Sequence, residues 1–330
     1  MRKAHVLGRN LLLTVGSMIL FFSILEIGTR LFWRVEVQKA HVGIIAKEGN
    51  QEIAHEGELY KTNSHGLRNK ELQTEKVASA ERRILALGDS FVWGDGLPEE
   101  DLVTVKIESL LYKQSHQKVA VINAGIPGFN TIDEFQQLVR LTPKYKPDLA
   151  MVFFFTNDVL AKGTDGEVKG NQVVSWKQNV KESLRQNSKF AAFLYYLYKS
   201  KFAAKVGVPQ FMLPADYFNL DDSKPGWVAF KDGIIKIQSY CQANNIEFLF
   251  VMIPTLTNLD VNYPYSELRE KVVKYVKSRD IHLIDLFGVF ANYQPSDLWV
   301  SLENSHWNGK ATTIAADEIV TYIRRSKLLK

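Results

Sequence analysis

The sequence predicts an α/β fold, with a parallel sheet covered by helices on both faces and one N-terminal transmembrane helix before it. Two observations support this prediction. From residue 83 onward, short apolar runs alternate with amphipathic segments of helical spacing, and near its start the chain has a long uncharged stretch. Continuous apolar strands separated by helices are typical of parallel sheets that are buried on both faces.

The N-terminal apolar stretch predicts a membrane anchor. Residues 11–25 contain no charge, and the apolar character continues to Trp33 with only Glu26 and Arg30 interrupting it. At about 1.5 Å per residue the uncharged run alone falls short of a bilayer core of about 30 Å, whereas residues 11–33 span it. Glu26 and Arg30 are four residues apart, so they share a helix face and can pair near the interface. No small-residue cleavage site follows, which favours an uncleaved anchor over a signal peptide.

Charge and cysteine content exclude some classes of protein. The net charge is +5, and residues 1–40 hold six Lys or Arg against two acids, which leaves about +1 for the rest of the chain. A nucleic-acid-binding domain needs a basic face, so no nucleic-acid partner is expected. Basic residues are nearly balanced across the span, and the short N-terminal tail is expected in the cytoplasm. The single cysteine, Cys241, excludes an intrachain disulfide and a cysteine-based zinc cluster and is expected to be a small core residue.

Five apolar runs predict buried strands, and five segments of helical spacing predict helices between and after them. The strands are expected at 83–87, 119–123, 149–155, 246–253 and 281–286. The helices are expected at 99–113, 131–142, 228–245, 264–279 and 309–325. The chain then divides into an anchor at 1–34, a polar and irregular linker and lead-in segment at 35–80, and a domain at 81–330. An insertion at about 160–225, which contains the aromatic run F-L-Y-Y-L-Y, is expected to form a cap near the site or a membrane-facing surface.

Polar residues follow the predicted strands at the edge where parallel sheets bind their ligands. The sequence G-D-S, ending at Ser90, follows the first strand, and N-A-G, ending at Gly125, follows the second. T-N-D, with Asn157 in its centre, follows the third, and His306 lies in E-N-S-H-W-N after the fifth. Serine, glycine, asparagine and histidine are therefore expected to converge on one edge of one sheet.

These residue types suit acyl transfer through a nucleophilic serine. A serine hydroxyl needs a base to take its proton, and His306 is the candidate base. The oxyanion that forms on attack needs donors already aimed at it. The Ser90 N–H, the Gly125 N–H and the Asn157 amide are the candidate donors, and Asp89 is expected to support the turn by bonding neighbouring backbone N–H groups. Each motif alone also fits an ordinary turn or loop, so the prediction depends on their convergence.

In this order, G-D-S-F, N-A-G, T-N-D and a C-terminal His-x-Asn resemble the SGNH (GDSL) hydrolase superfamily, in its membrane-anchored bacterial type. The superfamily is named for Ser, Gly, Asn and His, which match Ser90, Gly125, Asn157 and His306. The resemblance covers roughly residues 60–330 and includes T-N-S-H-G-L-R-N-K-E before the first strand. It implies a flavodoxin-like three-layer α/β/α sandwich, hydrolysis or transfer of an acyl ester through an acyl-serine, and a single-pass protein with its domain on the extracytoplasmic side. No cofactor and no metal are expected.

The acid that would orient the histidine departs from the family pattern. The family usually has aspartate three residues before the histidine, where this chain has Glu303, and some relatives carry the acid one residue later, where it has Asn304. Glutamate orients the imidazole in some serine hydrolases, so Glu303 is the favoured candidate. Asp297, Asp285, or a base that works without a carboxylate, stay open. Trp307 is expected to pack beside the imidazole or against the acyl site.

The predicted function is that of a membrane-anchored serine esterase or O-acyltransferase, with acyl esters of envelope glycans as the favoured substrates. A second hypothesis is a lipase or lysophospholipase, because an anchor and an aromatic insertion would suit a lipid substrate. A third hypothesis is a catalytically weak scaffold or glycan-binding subunit of a polysaccharide assembly, and the unusual residue at the acid position keeps this hypothesis open. Nothing in the sequence decides whether water or a sugar hydroxyl accepts the acyl group.

Overall fold

The computed structural model describes residues 2–32, 49–50, 52–55, 58–72, 81–115, 118–159, 188–198, 221–301 and 304–329. The chain divides into two units. One comprises residues 1–42 and 168–205, and the other comprises residues 43–167 and 206–330. The second unit contains the predicted sheet and all the candidate site residues.

The larger unit begins with a hairpin of two antiparallel strands, β1 (Glu52–His55) and β2 (Glu58–Lys61). The prediction that this part of the chain is irregular is therefore wrong for these residues. Each strand has only four residues, which is too short for alternation to stand out in the sequence. Tyr60 of β2 is fully buried and anchors the hairpin to the domain.

A parallel sheet of five strands forms the centre of this unit. The strands are β3 (Arg82–Gly88), β4 (Val119–Gly125), β5 (Leu149–Phe154), β6 (Glu247–Met252) and β7 (His282–Asp285), in the order β4-β3-β5-β6-β7. Every residue of β4 and β5 is buried, as expected for strands with helices on both faces. The five predicted runs all fall on these strands, so the predicted parallel sheet is confirmed.

Helices connect the strands and cover the sheet. In chain order the helices of both units are α1 (Arg2–Phe32), α2 (Ser90–Trp93), α3 (Val103–Ser115), α4 (Thr131–Tyr145), α5 (Lys189–Tyr198), α6 (Pro225–Ala243), α7 (Ser266–Ser278), α8 (Phe287–Phe290) and α9 (Gly309–Ser326). In the larger unit α3 packs against α9 and α4 packs against α6, so helical pairs flank the sheet. The predicted helix at 99–113 is divided: residues 99–101 form a 3-10 turn, and an extended residue, Leu102, separates it from α3.

The order of the strands places a crevice beside the end of β3. The chain passes from β3 to β4 on one side and then returns to β5 on the other side of β3. In such sheets ligands bind outside the carboxyl ends of the strands, where the connections diverge. Ser90 lies two residues after the end of β3, Gly125 ends β4, and Asn157 lies just beyond β5. Three of the predicted site residues therefore meet at this crevice.

The smaller unit contains α1 and α5. Within α1, residues Leu13–Phe32 are long and apolar enough to cross a membrane. Glu26 lies in this stretch and pairs with Arg30 at 2.7 Å, as the four-residue spacing predicts. Its carboxylate also accepts the backbone N–H groups of Lys189 (2.9 Å) and Phe190 (3.0 Å), and so caps the first turn of α5.

Residues 188–198 of the predicted insertion thus contain a helix that docks on α1. Phe190 of α5 also lies near Phe22 of α1, with ring centroids 6.4 Å apart. The hydroxyl of Ser188 donates a further hydrogen bond to Glu26 at 2.7 Å. The rest of the predicted insertion at 160–225, apart from residues 221–225, lies outside the described residues.

Candidate active site

Ser90 and His306 lie within hydrogen-bonding distance of each other. Ser90 begins α2, and His306 lies in the loop that leads into α9. The imidazole Nε2 is 2.8 Å from Ser90 Oγ, although 216 residues separate the two in the chain. His306 is only 8% exposed, which limits competition from solvent for this contact.

Asn304 determines the tautomer of the imidazole. Its Oδ1 accepts the backbone N–H of His306 at 3.0 Å, so this end of the side chain must be the oxygen. The same Oδ1 lies 2.6 Å from His306 Nδ1. An amide oxygen can only accept, so Nδ1 carries the hydrogen and Nε2 keeps a free lone pair towards the Ser90 hydroxyl. The ring is therefore held in the form that a general base requires.

Asp95, a buried aspartate outside the predicted site residues, also faces the imidazole. Asp95 Oδ2 lies 3.5 Å from His306 Nδ1, and Asp95 is 6% exposed. Asp95 lies five positions after Ser90 in G-D-G, and its backbone N–H bonds the Ser90 carbonyl at 3.1 Å. The only feature of the sequence that marks Asp95 is a second G-D, at 94–95, shortly after the G-D-S that ends at Ser90. This spacing does not show where the Asp95 side chain points.

None of the three acids predicted from the sequence is seen to contact the imidazole in the described part of the chain. Glu303 lies outside the described residues. Asp285 is paired with Arg269 at 2.7 Å, and Asp297 lies 3.7 Å from Lys310 with its side chain 55% exposed. Both of these aspartates are therefore engaged away from the imidazole.

Asp89 and Asn157 form the other side of the site. Asp89 caps the N-terminus of α2 by accepting the Phe91 N–H at 2.9 Å. Its second oxygen accepts the Asn157 side-chain amide at 2.9 Å, which fixes the position of that amide at the end of β5. Burial raises the pKa of Asp89 to about 6, and the hydrogen bonds from Phe91 and Asn157 oppose this shift. The Asn157 Nδ2 has a second hydrogen, which makes only a long contact of 3.5 Å to the Phe129 carbonyl.

Gly125 has a packing role in the structure. Its N–H donates to Asn123 Oδ1 at 3.1 Å. A Cβ at this position would lie 2.4 Å from the Trp93 backbone nitrogen, so only glycine lets α2 pack against the end of β4. Gly128, three residues further on, is exposed, has φ of 78° and has nothing within 4 Å of a Cβ position. Of these two glycines, Gly128 is the one that leaves room for a ligand.

Two more buried carboxyl groups lie behind Asp89. Asp158 accepts the Phe155 N–H at 2.8 Å and the Thr131 hydroxyl at 3.1 Å. Both oxygens of Glu134 are buried, and neither has a hydrogen-bond partner among the described residues. Burial, together with the neighbouring carboxylates, raises the pKa values of Glu134 and Asp158 well above their ordinary values. The cluster therefore carries less negative charge than its carboxyl groups would have in water.

Trp307 links the histidine loop to the serine turn. Its indole N–H donates to the Phe91 carbonyl at 2.9 Å, and its ring contacts those of Phe91 and Phe153. The Phe91 ring lies beside the imidazole, at 4.9 Å between centroids. Trp307 is 1% exposed, so it packs in the core next to the site and offers almost no surface to a substrate.

Metal-binding and thiol chemistry receive no support from the described residues. Among them, no group of three or more His, Cys, Asp or Glu side chains could hold a metal ion. Cys241 is buried in α6, as predicted, and burial raises the pKa of its thiol to about 12. A thiol so protonated is a poor nucleophile.

The chain is similar to one known protein family and to several solved structures. A family model described as GDSL-like Lipase/Acylhydrolase matches residues 84–319. Similar solved structures include the esterase EstA from Pseudoalteromonas sp., with 17% identity and a TM-score of 0.44, covering 74% of this chain and 98% of that one. TesA has 13% identity and a TM-score of 0.47, covering 75% and 100%. The acetyl xylan esterase AlAXEase has 17% identity and a TM-score of 0.44, covering 73% and 99%. No curated protein matches the chain.

Proposed function

We propose that this chain, which belongs to the GDSL-like lipase/acylhydrolase family and is therefore a serine ester hydrolase, acts through an acyl-serine at Ser90. The observation that carries this assignment is the 2.8 Å contact between Ser90 Oγ and His306 Nε2. A base at hydrogen-bonding distance, in the tautomer that accepts a proton, is what a serine nucleophile needs.

The first half of the reaction forms the acyl-enzyme. Ser90 Oγ attacks the ester carbonyl carbon while its proton moves to His306 Nε2, and the carbonyl electron pair moves to oxygen. The oxyanion is received by the Ser90 N–H and by the Asn157 amide hydrogen that Asp89 does not hold. The ester C–O bond then breaks, and the leaving oxygen takes the proton from Nε2.

A third oxyanion donor comes from the loop after β4. The prediction names the Gly125 N–H, but in this structure that group already donates to Asn123. We assign the third donor to the exposed loop at Gly128 instead, because it has open space around it. This assignment is supported by the next residue, Phe129, whose carbonyl oxygen lies 3.5 Å from the side-chain nitrogen of Asn157, another proposed donor.

The second half of the reaction returns the enzyme to its starting state. His306 Nε2 takes a proton from an incoming water or hydroxyl group, whose oxygen attacks the acyl carbon. Breaking the bond to Ser90 Oγ then returns that proton to the serine. Water gives hydrolysis and an acceptor hydroxyl gives acyl transfer, with the same residues in the same roles.

The proposed setting is a membrane surface. The length and apolar character of Leu13–Phe32 support a single-pass anchor. The sheet unit is proposed to lie on the extracytoplasmic side. Acyl esters of envelope glycans are the proposed substrates. Extraction of membranes with alkaline carbonate tests the anchor: the full chain should stay in the pellet, and a variant lacking residues 2–32 should not. Recovery of both in the supernatant would contradict it.

The catalytic proposal is tested on the detergent-solubilised full chain with p-nitrophenyl esters of increasing acyl length. Turnover should disappear in Ser90→Ala and persist in Ser278→Ala, which removes an exposed hydroxyl at the end of α7. Mass spectrometry of the trapped enzyme should show the acyl group on Ser90. Equal rates in wild type and Ser90→Ala would overturn the proposal, and a preference for long chains would favour a lipase over a glycan esterase.

A further inference from the structure

We infer that Asp95 is the positioning carboxylate of His306, and that it shares with Asn304 the role that a single acid fills in a Ser-His-Asp triad. This inference rests on the proposed roles of Ser90 and His306. Asn304 would orient the ring and set its tautomer, whereas Asp95 would supply the negative charge that stabilises the imidazolium formed when Ser90 gives up its proton.

The distances divide the two roles. Asn304 Oδ1 lies 2.6 Å from His306 Nδ1 and so makes the shorter contact, but it is neutral. Asp95 Oδ2 lies 3.5 Å from the same nitrogen. The side chains of Asp95 and His306 are 7% and 10% exposed, so water screens their attraction poorly. A carboxylate this close to a poorly solvated imidazole favours the charged form of the ring.

The turn after α2 is built to hold Asp95 in this place. Gly94 ends α2 with φ of 83°, and both its N–H and that of Asp95 bond the Ser90 carbonyl. Gly96 also has a positive φ, of 77°, and a Cβ there would lie 3.0 Å from Asn304 Nδ2. The two glycines therefore let the turn reverse direction and pass close to Asn304.

Arg68 and Tyr60 clamp this turn from the N-terminal side. The Arg68 guanidinium is 4% exposed and donates to the carbonyls of Trp93 (3.2 Å), Gly94 and Leu97. Its Cζ lies 4.1 Å from the centre of the Tyr60 ring, and the Tyr60 hydroxyl accepts the Gly96 N–H at 2.6 Å. The T-N-S-H-G-L-R segment before the sheet thus fixes the backbone that carries Asp95.

Asp95→Asn tests the inference because it keeps the shape of the side chain and removes its charge. In the full chain we expect kcat to fall by about 10²-fold with little change in KM, since the interaction grows as the imidazolium forms. The midpoint of the acidic limb of the kcat/KM profile should move to lower pH, because a histidine without its carboxylate holds a proton less tightly. Asp297→Asn, which removes another carboxylate near the histidine loop, should change neither.

Rescue separates a role in catalysis from a role in folding. Adding Asn304→Asp to Asp95→Asn returns a carboxylate to Nδ1, and we expect it to restore most of kcat and to move the acidic limb back. Circular dichroism and the melting temperature of each variant check the fold. If Asp95→Asn does not fold, Asp95→Ser, which keeps a small polar group in the turn, takes its place.

Two outcomes would overturn the inference. One is an unchanged kcat and an unchanged acidic limb in Asp95→Asn. The other is a loss in Glu303→Gln that exceeds the loss in Asp95→Asn, which would make Glu303 the acid. If the wild type turns over no ester, the proposed function fails on its own. The histidine titration is then followed by NMR in wild type and Asp95→Asn, and the inference predicts a lower midpoint in the variant and fails if the midpoints coincide.

Discussion

At the N-terminal end of α2, Asp89 bonds the Phe91 N–H and the Asn157 amide, and at the C-terminal end Asp95 faces His306. The two aspartates lie on either side of Ser90 in the chain and are both almost fully buried. Their partners differ in kind. The hydrogen-bond partners of Asp89 are neutral donors, whereas Asp95 faces a ring that gains a charge during the proposed reaction.

This difference shows how one short turn serves two halves of a site. A buried carboxylate held by neutral donors fixes geometry, and because burial raises its pKa to about 6 its own charge is costly. A buried carboxylate next to a titrating base does its work through charge. We therefore expect changes on the Asp89 side to act through the oxyanion geometry and stability, and changes on the Asp95 side to act through the proton transfer.

The largest effect is expected from removing the base. His306→Ala leaves Ser90 with no proton acceptor, so kcat should fall by at least about 10⁴-fold while the fold persists. The measurement is kcat at saturating p-nitrophenyl ester. His282→Asn is the matched control, since His282 contacts Tyr322 and not the site. A loss of less than tenfold in His306→Ala would mean that another group takes the proton.

Removing an oxyanion donor should lower kcat less than removing the base. Asn157→Ala removes one aimed donor and leaves Asp89 without its amide partner, so kcat should fall by about 10²- to 10³-fold with KM nearly unchanged. Asn244→Ala removes an exposed amide at the end of α6 and should have no effect. A rise in KM that accounted for the whole loss would place Asn157 in ground-state binding instead.

The pH dependence of stability isolates the Asp89 carboxyl group. In the unfolded chain it ionises near its ordinary value of 3.8, and in the folded protein near 6. The stabilising contribution of the protonated group is complete below about pH 4 and is lost as the pH rises through about 6. From pH 4 to 7 the free energy of unfolding of Asp89→Asn should therefore gain about 2 kcal/mol relative to wild type. Denaturant titrations at both pH values measure this difference, and parallel curves would show that Asp89 ionises normally.

The smallest effect is expected from removing the hydrogen bond between the Trp307 indole and the Phe91 carbonyl. Trp307→Phe keeps an aromatic ring against Phe91 and Phe153 but leaves the buried Phe91 carbonyl without its indole donor. We expect a loss of about 1–2 kcal/mol in the free energy of unfolding and less than a tenfold change in kcat. Trp227→Phe is the control, because it removes an indole hydrogen bond, to Asp222, that lies outside the candidate site. A larger loss of kcat than of stability would assign Trp307 a direct part in the reaction.

Most of the sheet could be predicted from the sequence, because its strands are continuous apolar runs. The ends of those runs place Ser90, Asn157 and His306 at one edge without any knowledge of tertiary contacts. The hairpin of β1 and β2 could not be predicted, since E-I-A-H and E-L-Y-K are short and neither contains a continuous apolar run. The docking of α5 on Glu26 also depends on a contact between residues more than 160 positions apart.

Within the site, the missed residues are those whose direction depends on backbone geometry. Asp95 reaches the imidazole because Gly94 and Gly96 both have positive φ and because Arg68 holds their turn. The Gly125 N–H, at the end of β4, donates to the Asn123 side chain. The N-A-G motif does not reveal this hydrogen bond. Spacing predicts which residues are near the strand ends, and the local turns decide which atoms face the substrate.

The link between Phe91 and Trp307 has a consequence for how the protein is made. The two contacts that complete the site, Ser90 with His306 and Phe91 with Trp307, each join residues 216 positions apart. During synthesis Ser90, the proposed nucleophile, leaves the ribosome long before His306, its proposed base, and domains dominated by such distant contacts form them late. Through most of its biosynthesis the chain therefore carries an inactive serine, and esterase activity arises only when the segment around α9 closes on the sheet.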